Sequence, residues 1–190
     1  FYLLFNDPDL QADTDKTKLP LTKYFASPNG MMIARTGWDV NAADPSQSND
    51  VVAMMKIGER WGANHNHLDA GNFQLYYKGI LASESGYYET YGSLHDQNYN
   101  KASIAHNILT VYDPNEKFNA YNGKDRYGNT VSFPNGVNDG GQRRPGGEPA
   151  TWEIWNGEKG LNYDTGKVLD HEFGPDADNP EYTYIKGDIT

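Results

Sequence analysis

The chain reads as a mainly β protein, an antiparallel two-layer β-sandwich, and three observations predict it. Short runs rich in β-branched and aromatic residues recur between turn-prone clusters of Gly, Asn, Asp and Pro. Tyr is unusually frequent at 14, beside 4 Trp and 20 Gly. No heptad or internal repeat is visible, so the short strands must pack on one another. With 190 residues the chain can hold one domain with a real core, or form a large piece of something bigger.

In chain order, residues 1–5 are a short apolar stretch that could close a preceding helical region, and 6–20, rich in Asp, Thr and Lys, read as linker. The expected division is therefore a linker over 1–20 and a sandwich over 21–190. Residues 30–35 are strand-like and run into the turn-prone Thr36-Gly37-Trp38-Asp39; 41–50 form a polar loop. Residues 51–57 and 73–77 read as strands, and Lys78-Gly79 turns the second into 80–83 as a hairpin. A long aromatic and polar loop over 87–100 leads to a predicted strand over 104–112. From 121 to 149 the composition shifts to Gly, Asn, Asp, Arg and Pro, which predicts a long loop of a kind that is uncommon in compact domains and often functional. Further strands are predicted at 152–154 and 182–185. The start at Phe1 without initiator Met, and an end that reads as the beginning of another strand, suggest a processed or excised fragment.

Several classes fall away on composition. With no cysteine there are no disulfide staples and no thiolate metal sites, although the compartment stays open. A formal charge of −10 argues against nucleic acid, and it demands a local basic patch, or one from elsewhere, for any polyanionic substrate. No apolar run approaches a membrane span. A Gly-x-Ser-x-Gly elbow, a phosphate-binding Gly loop and a dinucleotide fingerprint are all missing.

The chemistry concentrates in Ala63-Asn64-His65-Asn66-His67-Leu68-Asp69. Read as a strand, this run puts His65, His67 and Asp69 on one face and Asn64, Asn66 and Leu68 on the other. Neutral imidazole is both a metal ligand and a proton carrier. Glu84, just past the hairpin, and His106, on the later strand, are the groups best placed to complete a site with His67. Two imidazoles and a carboxylate suit zinc, while calcium prefers an all-oxygen shell. The plain alternatives are a solvated Glu84 and a buried, hydrogen-bonded His106. Asp69 is either a ligand or an acceptor that fixes a histidine tautomer, and the second reading is preferred. His95 is expected at the surface and His171 in a structural role. Arg143 and Arg144 could grip a carboxylate or sulfate, or form a solvated loop tip.

These residues resemble a known family. His65-Asn66-His67-Leu68-Asp69-Ala70-Gly71-Asn72-Phe73 looks like the His-x-His-x-Asp-x-Gly-x-Phe signature of the heparinase II/III-like polysaccharide lyases. Glu84-Ser85-Gly86 falls where that family has Asp-x-Gly, and Ala105-His106-Asn107 matches its Ala-His-Asn segment. Arg35-Thr36-Gly37-Trp38, Tyr76-Tyr77-Lys78-Gly79, Asp139-Gly140-Gly141-Gln142-Arg143 and the run 182–188 look like the heparinase II branch.

The resemblance implies a β-sandwich that follows an N-terminal (α/α) toroid and precedes a smaller β domain. It implies a periplasmic or secreted bacterial enzyme, commonly a homodimer, that cuts heparin and heparan sulfate by β-elimination. By position, His67, Glu84 and His106 would hold a structural zinc, and His65 would be the catalytic histidine. Asn64 and Tyr87 would lie near the substrate. Glu84 departs from the family's Asp by one methylene, which bears on the metal. In the family a toroid tyrosine carries much of the proton transfer, so this chain alone is expected to be inactive. The alternatives are a lyase of the same architecture acting on another uronate polymer such as alginate, and a non-catalytic carbohydrate-binding or dimerisation sandwich.

Overall fold

A computed structural model describes residues 13–39, 43–62, 65–88, 95–116, 121–124, 130–133, 140–142 and 163–189, with Asp9, Thr90, Tyr91 and Ser93. The described part is mainly β and wholly antiparallel in its pairing. A five-stranded meander runs β1 (Thr22–Phe25), β2 (Met31–Arg35), β3 (Val51–Lys56), β4 (Asn72–Tyr77) and β5 (Ile80–Ala82), each strand beside its sequence neighbour. Two ribbons follow, β6 (Tyr121–Lys124) with β7 (Thr130–Phe133), and β8 (Lys167–Gly174) with β9 (Tyr182–Asp188).

The meander forms where the sequence places β-branched, Met and aromatic residues between turn formers. Met32 of β2 is buried, as are Ile57 just past β3 and Trp61, Leu68, Ala70 and Ala105 in the connecting segments. The hairpin at Lys78-Gly79 is present, with Lys78 in the left-handed region at φ 55°. The β8–β9 ribbon supplies a second layer. The hydroxyls of Thr22 and Thr183 lie 3.0 Å apart, the rings of Tyr24 and His171 stack at 3.7 Å, and Val168 N–H donates to Glu59. This makes His171 a packing residue between β1 and β8, as expected. Two antiparallel layers joined in this way agree with a β-sandwich. Among the described residues no helix is long and apolar enough to cross a membrane.

Three expectations about elements are corrected. Residues 65–71 are not a strand but the loop between β3 and β4. Its backbone N–H groups go to scattered partners instead of a ladder: Leu68 to Lys101 O, Ala70 to Gln142 Oε1, and Gly71 to the carbonyls of Lys56 and Ile57. The strand predicted over 104–112 is instead a 3-10 turn at Ser103–Ala105 followed by irregular chain. There Asn107 takes the place of a ladder, since its side-chain amide donates to the carbonyls of both Phe73 and Ser83. The predicted loop over 121–149 contains the β6–β7 hairpin. The strand predicted at 152–154 lies outside the described residues, and β8 went unrecognised because its Asp and Glu mask the alternation.

Candidate functional site

The loop over 65–71 is held in place by its neighbours, and this sets the positions of its side chains. Gly71 ends it at φ +83°, a left-handed conformation that turns the chain into β4, and Ile189 fills the space a Cβ would need. Gln142 clasps Ala70 from both sides, accepting from its N–H at 3.1 Å and donating to its carbonyl at 2.7 Å. Ser103 Oγ donates to Leu68 O. Asp69 pairs with Lys56 at 2.7 and 2.8 Å and acts on His67 only through its charge. The expected role of Asp69 in fixing a histidine tautomer is therefore not what the structure shows; with the run bent into a loop, side chains two apart no longer share a face.

His67, Glu84 and His106 do come together. His106 Nδ1 touches Glu84 Oε2, and the His67 and His106 rings lie 5.1 Å apart at 50°. The other oxygen, Glu84 Oε1, accepts from Asn72 at 2.6 Å and Gln74 at 3.0 Å. Those amides stand two apart in β4 and so share a face. That spacing was the sequence signal for them, but it went unread. Asn72 also receives the Asn107 N–H, tying β4, the Glu84 segment and the His106 segment into one polar network.

Electrostatics follow from this packing. Burial holds the His67 imidazole below its ordinary value, and neighbouring His106 adds to the effect, so its lone pair is available at neutral pH. Burial alone would raise Glu84, but the hydrogen bond from His106, with those from Asn72 and Gln74, outweighs it and keeps the carboxyl ionised. His106 Nε2 is buried with no hydrogen-bond partner among the described residues. The donor set thus suits zinc in kind. Its arrangement is nonetheless that of a hydrogen-bonded cluster, since no three His, Asp or Glu side chains among the described residues stand as a ready ligand shell.

His65 lies apart from this cluster, exposed at the surface, with its ring 4.8 Å from Tyr91. Tyr91 in turn lies 4.1 Å beneath the Lys101 ammonium. Lys101 is buried and paired with buried Asp96 at 3.1 Å within its own segment, while its carbonyl accepts the Leu68 N–H and so joins that segment to the histidine loop, neither of which the sequence revealed. Tyr87 is exposed and stacks on His95. His95, expected at the surface, is half-buried, with its Nε2 enclosed. Asn64, Arg143 and Arg144 lie outside the described residues.

Fold and cluster together define an antiparallel β domain whose histidine loop is locked over a carboxylate and a second histidine. The model of the heparinase II/III-like family, C-terminal part, matches residues 28–159, well over half of the chain, and the chain belongs to that family. The match takes in the histidine loop, Glu84 and His106. The family is one of polysaccharide lyases, so this is a lyase-related domain. No curated protein matches the chain.

Proposed function

We propose that this chain is the central domain of a heparinase II-branch lyase that cleaves heparin or heparan sulfate by β-elimination at uronic acid residues. The observation that carries the proposal is the division of the histidines: His67 and His106 gather at Glu84, while His65 is exposed beside Tyr91. One pair is committed to structure and the remaining imidazole is open to substrate. The cavity lined by Lys56, Trp61, Asn66, His67 and Asp69 has about 10 Å³, room for one water at most, so a sugar ring would lie outside it, over His65 and the tyrosines.

In such an elimination a base takes the C5 proton, the C4–C5 double bond forms, and the C4–O bond breaks with a proton delivered to the leaving oxygen. His65 is suited to one of these proton transfers, and Tyr87 to contact with the sugar. The uronate carboxylate must also be neutralised. Near the site the described cations are engaged, Lys56 with Asp69 and Lys101 with Asp96. The neutralising charge and the partner tyrosine would come from the toroid. Zinc, held by His67, Glu84 and His106, would cross-link the loop to the two segments beneath it.

Two experiments test the proposal. Turnover in the full-length protein is read from the absorbance of the unsaturated uronate, with heparan sulfate and alginate as competing substrates. His65→Ala is expected to abolish it; undiminished turnover would remove His65 from catalysis, and a preference for alginate would move the substrate within the class. Zinc content is read by elemental mass spectrometry. About one zinc per chain, lost in His67→Ala, supports the metal site; a zinc-free wild type after zinc addition refutes it.

A further inference from the structure

His95 occupies a position that the function described so far leaves unused. Its ring lies between two tyrosines, with centroids 4.5 Å from Tyr87 at 30° and 5.4 Å from Tyr99 at 36°. Its Nε2 is buried and has no hydrogen-bond partner among the described residues. A buried imidazole nitrogen without a partner costs free energy, so Nε2 does not hold the ring there, and the contacts with the two tyrosine rings do. Tyr99 is anchored in turn, since its hydroxyl lies 3.0 Å from Ser85 Oγ, and Ser85 also bonds to Ala105. Gly86 presses against Asn100 so closely that a Cβ would collide with it. The segment that carries Glu84 and Tyr87 is thereby fastened to the turn that carries His95 and Tyr99.

The outcome is a one-sided stack. His95, itself packed on Tyr99, backs Tyr87, yet Tyr87 stays 63% exposed. An aromatic ring fixed from behind and open in front suits the apolar face of a sugar ring, because little freedom is left to lose on binding.

We propose that His95 is a positioning residue that holds Tyr87 as a stacking platform for one sugar ring of the uronate polymer. The inference rests on the polysaccharide reading above and adds to it a residue that acts only through Tyr87.

The test is a double-mutant cycle on the full-length protein, with a heparan sulfate tetrasaccharide as the probe and titration calorimetry as the readout. His95→Ala is expected to weaken binding about fivefold to tenfold, the scale of one lost aromatic contact. His95→Phe, which keeps a ring in the stack, is expected to bind within about twofold of wild type. In a Tyr87→Ala background, His95→Ala is expected to change nothing further, because the platform is already gone. Additive losses overturn the proposal, and so does a His95→Phe variant as weak as His95→Ala, which would shift the role to the imidazole nitrogens. Unchanged binding in a folded His95→Ala variant overturns it as well. A wild type that binds no tetrasaccharide overturns the polysaccharide reading itself, which is distinct from wild-type binding that is indifferent to His95.

Discussion

The five-stranded meander and the histidine-bearing segments around it are built on different principles. In β1 to β5 each strand pairs with its sequence neighbour and the backbone supplies the bonds. In 65–71 and 103–107 no ladder runs; scattered backbone bonds are joined by bonds to particular side chains, Gln142 at Ala70 and Ser103 at Leu68, while the Asn107 amide reaches out to Phe73 and Ser83. A ladder tolerates substitution because any residue contributes the same backbone groups. A side-chain scaffold does not, since each bond depends on one residue type. The working part of the molecule is thus the part least protected by repetition.

Denaturant unfolding of single variants can break or sharpen that contrast. The largest effect is expected at Lys101→Met, which takes the ammonium away from buried Asp96: a loss of about 3–5 kcal/mol, much of it recovered when Asp96 is also made apolar. Asn107→Ala removes both amide bonds and is expected to cost about 2 kcal/mol. Gly71→Ala forces a Cβ into the left-handed region against Ile189 and is expected to cost about 1–2 kcal/mol. The smallest effect is expected on the ladder: Ala53→Thr, exposed in the middle of β3, should stay within about 0.5 kcal/mol. A ladder substitution that cost as much as Asn107→Ala would erase the distinction.

The same contrast explains what could be read in advance. β2, β3, β4 and the Lys78-Gly79 hairpin were legible because period-two patterns and turn residues are local signals. The membership of His67, Glu84 and His106 in one cluster was legible from the hairpin that brings Glu84 back and from the family resemblance, although the strand argument offered for His65 and His67 was wrong. Its geometry assumed a pleat where the chain bends. Asp69 was misassigned for the same reason, since its partner Lys56 sits at the end of β3 and no spacing rule points there. The Lys101–Asp96 pair and the burial of His95 were illegible because both depend on an irregular turn, Asp96–Asn100, with no characteristic pattern. Polar residues in such a turn look like solvated loop until their partners are known.

The clasp between Gln142 and Ala70 also bears on the order of events during synthesis. Its two bonds span 72 positions of sequence, whereas the meander closes between near neighbours. A chain emerging from the ribosome can complete β1 to β5 while residue 142 is still unmade. The histidine loop then waits half-formed until that late glutamine arrives. In the complete chain, Gln142→Ala should leave the amides of the meander protected while Ala70 exchanges more freely.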